Sequence, residues 1–160
     1  MILVTAALAI TNGTETNGKH SEVVAVLRGS GGTCTGVLVH PEWVLAAAHC
    51  WDSIDLSVGL PEASVTSADM AFEGETIEVA EVVVHPDYRS IGPSPNASEE
   101  GQGGTENDLS LLRLAHPSPV APVQINDSPV DPAWIGLEAT LVGYGITAFQ
   151  GSGGGIKRFT

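Results

Sequence analysis

Apolar residues in this chain come in short runs separated by turn-forming residues, a pattern of strands rather than of amphipathic helices. Val23-Val24-Ala25-Val26-Leu27 predicts a buried strand, and Arg28-Gly29-Ser30-Gly31-Gly32 a turn after it. Thr35 to His40 predicts a second strand and Trp43 to Ala47 a third, with Pro41-Glu42 as the corner between them. Short strands are also expected over Ile54 to Val58 and Thr76 to Val79. Downstream, the Leu-rich run ending at Leu114 predicts a buried strand with Asp108 at its entrance. Ile156 to Thr160 begins another strand after the flexible Gly151-Ser152-Gly153-Gly154-Gly155. Between Arg89 and Glu106 the chain turns to Gly, Pro, Ser and Glu, and a loop of that length is usually functional or disordered.

The two cysteines, Cys34 and Cys50, flank the second and third of these strands. One bridge between them would close a loop of about 16 residues and contribute on the order of 3 kcal/mol. It would imply an oxidising, extracytoplasmic compartment; two free buried thiols in a cytosolic protein are the alternative. His49 stands directly before Cys50, so a bridge would also fix the backbone beside a candidate general base. A hydrophobic content of 42% with 19 Gly and 10 Pro fits a turn-rich all-β globular domain, and 160 residues can bury one good core. The net charge of −13, with only six Lys and Arg, argues against nucleic acid and anionic membrane surfaces as partners. No apolar run approaches membrane-spanning length. Met1 to Ala9 is apolar and ends in Ala7-Leu8-Ala9, like a signal-peptide cleavage site, but it is short and lacks a basic start. It is read as a signal-peptide remnant or an apolar leader.

Cys34-Thr35-Gly36-Val37-Leu38-Val39 followed by Trp43-Val44-Leu45-Ala46-Ala47-Ala48-His49-Cys50 resembles the histidine box of trypsin-like (chymotrypsin-fold) serine proteases. Ala46 stands where that family usually has Thr. Ile10-Thr11-Asn12-Gly13-Thr14-Glu15 is similar to the family's mature N-terminus, Ile-Val-Asn-Gly-x-Glu, which would make Ile10 the first residue after cleavage. Val82-Val83-Val84-His85-Pro86-Asp87-Tyr88 resembles a structural segment in which His85 caps a loop. Asn107-Asp108-Leu109-Ser110-Leu111-Leu112-Arg113-Leu114 resembles the aspartate box, and Leu141-Val142-Gly143-Tyr144-Gly145 the Gly-Trp-Gly strand that opens the second barrel, with Tyr144 in place of Trp. The resemblance implies an all-β fold: an antiparallel Greek-key barrel of six strands, the first of a double barrel, plus the opening strands of an incomplete second barrel. It divides the chain into a leader, 1–9, a barrel with the proline-rich crossover, 10–133, and the start of a second barrel, 134–160. The strand from Leu141 to Tyr144 would then lack most of its partner barrel, leaving an unpaired edge and an exposed apolar face.

The resemblance assigns His49 as general base and Asp108 as the carboxylate that orients it, with Cys34 and Cys50 as a disulfide. It implies proteolysis by acyl transfer on polypeptide substrates, in a secreted or extracytoplasmic setting, with no cofactor and no metal. No Gly-Asp-Ser-Gly-Gly-Pro motif follows, so the nucleophilic serine, the oxyanion hole and the specificity pocket are expected from a missing C-terminal barrel. Ser30 and Ser152 both sit in glycine strings without a preceding aspartate, and neither is read as the nucleophile. The chain alone is therefore expected to be inactive. The alternatives are a non-catalytic homologue that binds a protein partner through the barrel and the 89–106 loop, and a vestigial fragment. Glu73, Glu75, Glu78 and Glu81 are read as a solvated acidic face rather than a calcium loop. His116 is read as a surface residue, and Asn12, Asn96 and Asn126 open Asn-x-Ser/Thr sequons.

Overall fold

The computed structural model describes residues 13–29, 31–51, 62–91, 104–129, 131–145 and 155–160. In chain order the strands are β1 (Thr14–Glu15), β2 (Val23–Arg28), β3 (Thr33–His40), β4 (Trp43–Ala46), β5 (Ala63–Thr66), β6 (Ile77–Val84), β7 (Arg89–Ile91), β8 (Gly104–Glu106), β9 (Ser110–Leu114), β10 (Val142–Gly143) and β11 (Arg158–Phe159). No α-helix occurs among the described residues, and none of them forms a helix able to cross a membrane. Six strands close into an antiparallel barrel in the order β2-β3-β4-β9-β6-β5. The β2-β3-β4 meander is local, whereas β9 enters beside β4 and β5 returns beside β2, the long-range swap of a Greek key. The all-β, six-stranded barrel expected from the sequence is therefore the fold. The expected Ile54 to Val58 strand lies outside the described residues.

The interior is filled by one residue in two from each strand: Val24 and Val26 on β2, Leu38 on β3, Val44 on β4, Leu112 and Leu114 on β9. Gly36 lets β3 and β4 close up, since a Cβ there would stand 2.5 Å from Val44 Cγ1. The β2 run is apolar without alternation because its outer face is covered too: Ala25 packs with Ala71 and Tyr144, all three buried. The strand expected over Thr76 to Val79 is longer in the structure, running unbroken from Ile77 to Val84. Its register slips between Val79 and Glu81 where it pairs with β9. The extra residue switches the inward set from Ile77 and Val79 to Val82 and Val84, so apolar positions of opposite parity reach one core. Strict alternation hides this in the sequence.

The ends of the Arg89 to Glu106 loop are also more ordered than expected, because β7 and β8 pair with Ser90 opposite Thr105. Residues 92–103 lie outside the described set. Glu73, Glu75, Glu78 and Glu81 are all exposed, and Glu81 ion-pairs with Arg113 at 2.8 Å.

β11 lies between β1 and β10 in a three-stranded sheet, so β10 is paired on one side and remains an edge strand on the other among the described residues. The expectation of an exposed apolar strand is correct for Leu141, 61% exposed, and incorrect for Tyr144, which is buried. The Tyr144 hydroxyl donates to Ala68 O at 2.6 Å, and burial, reinforced by the Asp69 charge, pushes the phenol's pKa far up. Beneath it Lys157 is fully buried, donating to Ser67 O (2.7 Å) and His20 O (3.1 Å), with Asp69 Oδ1 3.9 Å from its ammonium. Burial lowers the Lys157 pKa, and the Asp69 and Glu22 charges oppose that. Asp69 accepts from Thr16 Oγ1 and from the Gly18 amide, each at 2.6 Å. The segment around β1, the loop before β6 and the segment around β11 are thus fastened to one carboxylate.

Two measurements test the Asp69 contacts and the disulfide that joins Cys34 on β3 to Cys50. Replacing both Cys34 and Cys50 by Ser is expected to lower the urea-unfolding free energy by about 3 kcal/mol; an unchanged midpoint and slope would exclude a stabilising role. The Thr16 hydrogen bond leads the causes that hold the Asp69 pKa below 3.8, against burial and with help from Gly18 and Lys157. Its ionised form is favoured by folding, so this contribution is present above pH 3.8 and is lost as pH falls through the depressed value. The wild-type urea midpoint should therefore fall more steeply than that of Asp69→Asn as the pH is lowered through that window. Parallel curves would remove the assignment.

Candidate active site

The site forms where β4 leaves the barrel. Ala46, Ala48, Cys50 and Trp51 are buried, and His49 alone in this stretch points outward. Residues 48–51 form a single 3-10 turn, so the small side chains of Ala46 and Ala48 let the backbone lie close to the barrel end while the imidazole faces solvent. The turn is fastened from three sides. Cys50 is disulfide-bonded to Cys34 on β3, with the Cα atoms 6.5 Å apart. Arg28 at the end of β2 donates from Nη1 to Cys50 O at 2.7 Å. Trp51 donates from its indole Nε1 to Ser110 Oγ on β9 at 3.2 Å.

Asp108 arrives from the other side of the β4–β9 ladder. Asn107 takes a positive φ of 52°, a conformation Asn tolerates better than most residues, and its side chain donates to Asp87 O at 3.0 Å. The kink aims the Asp108 carboxylate at the His49 turn just before β9 begins. There Oδ1 accepts from the His49 amide at 2.8 Å and Oδ2 lies 2.7 Å from His49 Nδ1. The two-point contact fixes the ring's position as well as its pairing. With Asp108 ionised, Nδ1 carries the proton and Nε2 is left as the basic nitrogen. The His49 side chain is 55% exposed, and no described residue hydrogen-bonds Nε2.

Burial pushes the Asp108 pKa up, but hydrogen bonds from the His49 side chain, the His49 amide and Thr105, with the His49 charge, outweigh it. The carboxyl is held below its ordinary 3.8 and is ionised at neutral pH. The Thr105 hydroxyl donates to Oδ2 at 3.0 Å, the same oxygen that meets His49. Sequence reasoning missed Thr105, Ser110, Trp51 and Arg28. A serine inside the Leu-rich β9 run was the one visible signal; the others depend on tertiary placement.

Cys34, His49 and Cys50 place three ligand-type atoms within 4.8 Å of one another. The two sulfurs are bonded to each other, so the group offers no thiolate and does not suit a metal. His85 accepts the Asp87 amide at Nδ1 (3.2 Å) and caps its own turn, while His116 is exposed. Ile10, Ser30 and Ser152 lie outside the described residues. The structure thus brings His49, Asp108, Cys34 and Cys50 into one site. The arrangement can hold an imidazole in one tautomer and present its free nitrogen to a hydroxyl or water.

The family model described as Trypsin matches residues 10–156. Serine protease SSP1 of Scolopendra subspinipes is 31% identical over 137 residues, covering 78% of this chain and 41% of that protein. Vitamin K-dependent protein C of Rattus norvegicus is 32% identical over 145 residues, covering 85% of this chain and 28% of its own length. The chain therefore spans less than half of each of these relatives. A solved structure described as the structure of GrC aligns with a TM-score of 0.66 at 23% identity, over 94% of this chain and 63% of that one, a likeness of fold.

If Thr105 holds the carboxylate in its charged form, Thr105→Val should move the Asp108 titration upward toward the ordinary carboxyl value. The side-chain carboxyl carbon of Asp108, followed by NMR against pH, reads this directly. An unchanged titration would exclude Thr105 as a donor to the ionised group.

Proposed function

The chain belongs to the trypsin-like serine protease family, and on that premise we propose that it carries the general-base half of a secreted serine endopeptidase. The observation that carries this reading is the His49 imidazole, held at Nδ1 and at its own amide by one carboxylate while Nε2 stays free. In peptide-bond cleavage His49 takes the proton of the attacking serine hydroxyl at Nε2 and returns it to the leaving amine. Asp108 keeps the ring in the correct tautomer and stabilises the imidazolium that forms at each step. The nucleophile and the donors for the oxyanion come from polypeptide outside these 160 residues. On this reading residues 10–133 carry the first barrel and its crossover, with β1 reaching out to pair with β11, and 134–160 open the second barrel.

Exposed apolar side chains along the crossover support a second protein surface beside it. Val123, Ile125, Trp134, Ile135, Leu137 and Leu141 are each 40% or more exposed along the crossover and the start of β10. Large apolar side chains left this exposed along one segment of the chain are expected where another protein surface docks. Cleavage after Ala9 would free the Ile10 ammonium to pair with a carboxylate beside the nucleophile. The disulfide between Cys34 and Cys50 fits an oxidising compartment.

By this reading the purified chain does not react with a serine-directed fluorophosphonate probe. Added to a complementary second barrel from a relative, it restores peptide hydrolysis, and His49→Ala lowers the restored rate by at least about 10³-fold. Labelling of the chain by itself would overturn the inactivity and point to Ser152 or Ser30. A complex that forms without hydrolysis would favour the partner-binding reading.

A further inference from the structure

We propose that Ser110, acting with Trp51, is a positioning residue that sets the His49–Asp108 geometry; this rests on the reading of those two residues as a catalytic pair. Ser110 is the first residue of β9, two positions after Asp108, and its register partner across the ladder is Ala46 on β4. The hydroxyl lies 3.1 Å from Ala47 O and 3.3 Å from Ala46 O, and it accepts the Trp51 indole N–H at 3.2 Å. Ala47 lies two residues before His49 and Trp51 two residues after it. One oxygen therefore touches the chain on both sides of the histidine and is itself covalently two residues from the aspartate.

A hydroxyl has one proton to give and lone pairs to accept with, so Ser110 can hold a carbonyl of the incoming strand and the indole of the outgoing turn together. Ser110 and Trp51 are 2% and 3% exposed, where hydrogen bonds are strong and an unmade one is costly. The position does not need a polar residue for packing. Ser110, Leu112 and Leu114 share the inward face of β9, and a third apolar side chain there would bury more apolar surface. What serine supplies instead is a fixed spacing between the two backbone segments that carry the site. The 2.7 Å contact of His49 Nδ1 with Asp108 Oδ2 is one a small slip of those segments would break.

The test needs no nucleophile and uses the chain itself. The proton between His49 Nδ1 and Asp108 gives an imidazole resonance far downfield of the amides in a one-dimensional NMR spectrum. Asp108→Asn should abolish it; if the signal survives that change, the catalytic-pair reading fails, whatever Ser110 does. Ser110→Ala and Trp51→Phe should each lose the signal or move it upfield while the amide dispersion of the folded barrel persists, and Ser110→Thr, which keeps the hydroxyl, should retain it. Should Ser110→Ala fail to fold, Trp51→Phe decides, because it removes only the indole donor and keeps an aromatic ring in the core. A wild-type downfield signal in folded Ser110→Ala or folded Trp51→Phe, alongside its loss in Asp108→Asn, would overturn the proposal and leave the pair intact.

Discussion

The antiparallel pairing of β4 with β9 is the constraint on which the rest of the site depends. His49 and Asp108 are 59 residues apart in the chain, and the ladder that sets Ala46 opposite Ser110 brings them within one hydrogen bond. Because side chains alternate with a period of two, a slip of one residue would turn β9's leucines outward and carry the carboxylate away from the imidazole. Core packing and site geometry are therefore specified by the same register. Leu112 and Leu114, buried among Val24, Val26, Leu38 and Val44, hold it from the inside.

Around that ladder the barrel is built from strands whose faces are used unevenly. β9 alternates cleanly between buried and exposed, as expected for a strand with one solvated face. β2 does not, because Tyr144 and Ala71 cover its outer side. β6 changes parity at its bulge, which lets a strand with Glu78 and Glu81 on its exposed positions still deliver four apolar side chains to the core. The acidic composition is absorbed in this way by strand exteriors and turns, where charges stay hydrated.

The segments before β2 and after β10 meet on the barrel's outside through Asp69. Thr16, Gly18 and Lys157 converge on its carboxylate, and Lys157 in turn holds the carbonyls of Ser67 and His20. A lysine with no exposed surface is tolerated because its donors reach carbonyls and its charge faces a carboxylate. The result is a small sheet, β1-β11-β10, fixed against a barrel with which it shares no strand ladder. The exposed apolar stretch from Val123 to Leu141 lies in the connection leading into that sheet.

What the sequence determined by itself was whatever local chemistry encodes. Turn residues bracketing short apolar runs marked β2, β3, β4 and β9, and the fixed order of residues around His49 and around Asp108 carried the family and pointed to two residues that the fold brings into contact. The spacing of Cys34 and Cys50 made a bridge feasible, and only the strand geometry showed that it forms. Tertiary structure decided everything that joins distant segments. The bulge in β6 is invisible in a period-two reading because it breaks that period. The β7–β8 pairing depends on hydrogen bonds between stretches whose side chains carry no strand signal. Thr105, Ser110, Trp51 and Arg28 became part of the site through contacts made across the fold, and no residue type announces such a contact from its own position. Lys157 shows the same limit most plainly: composition places lysine in water, and only the surrounding carbonyls and Asp69 explain why this one is buried.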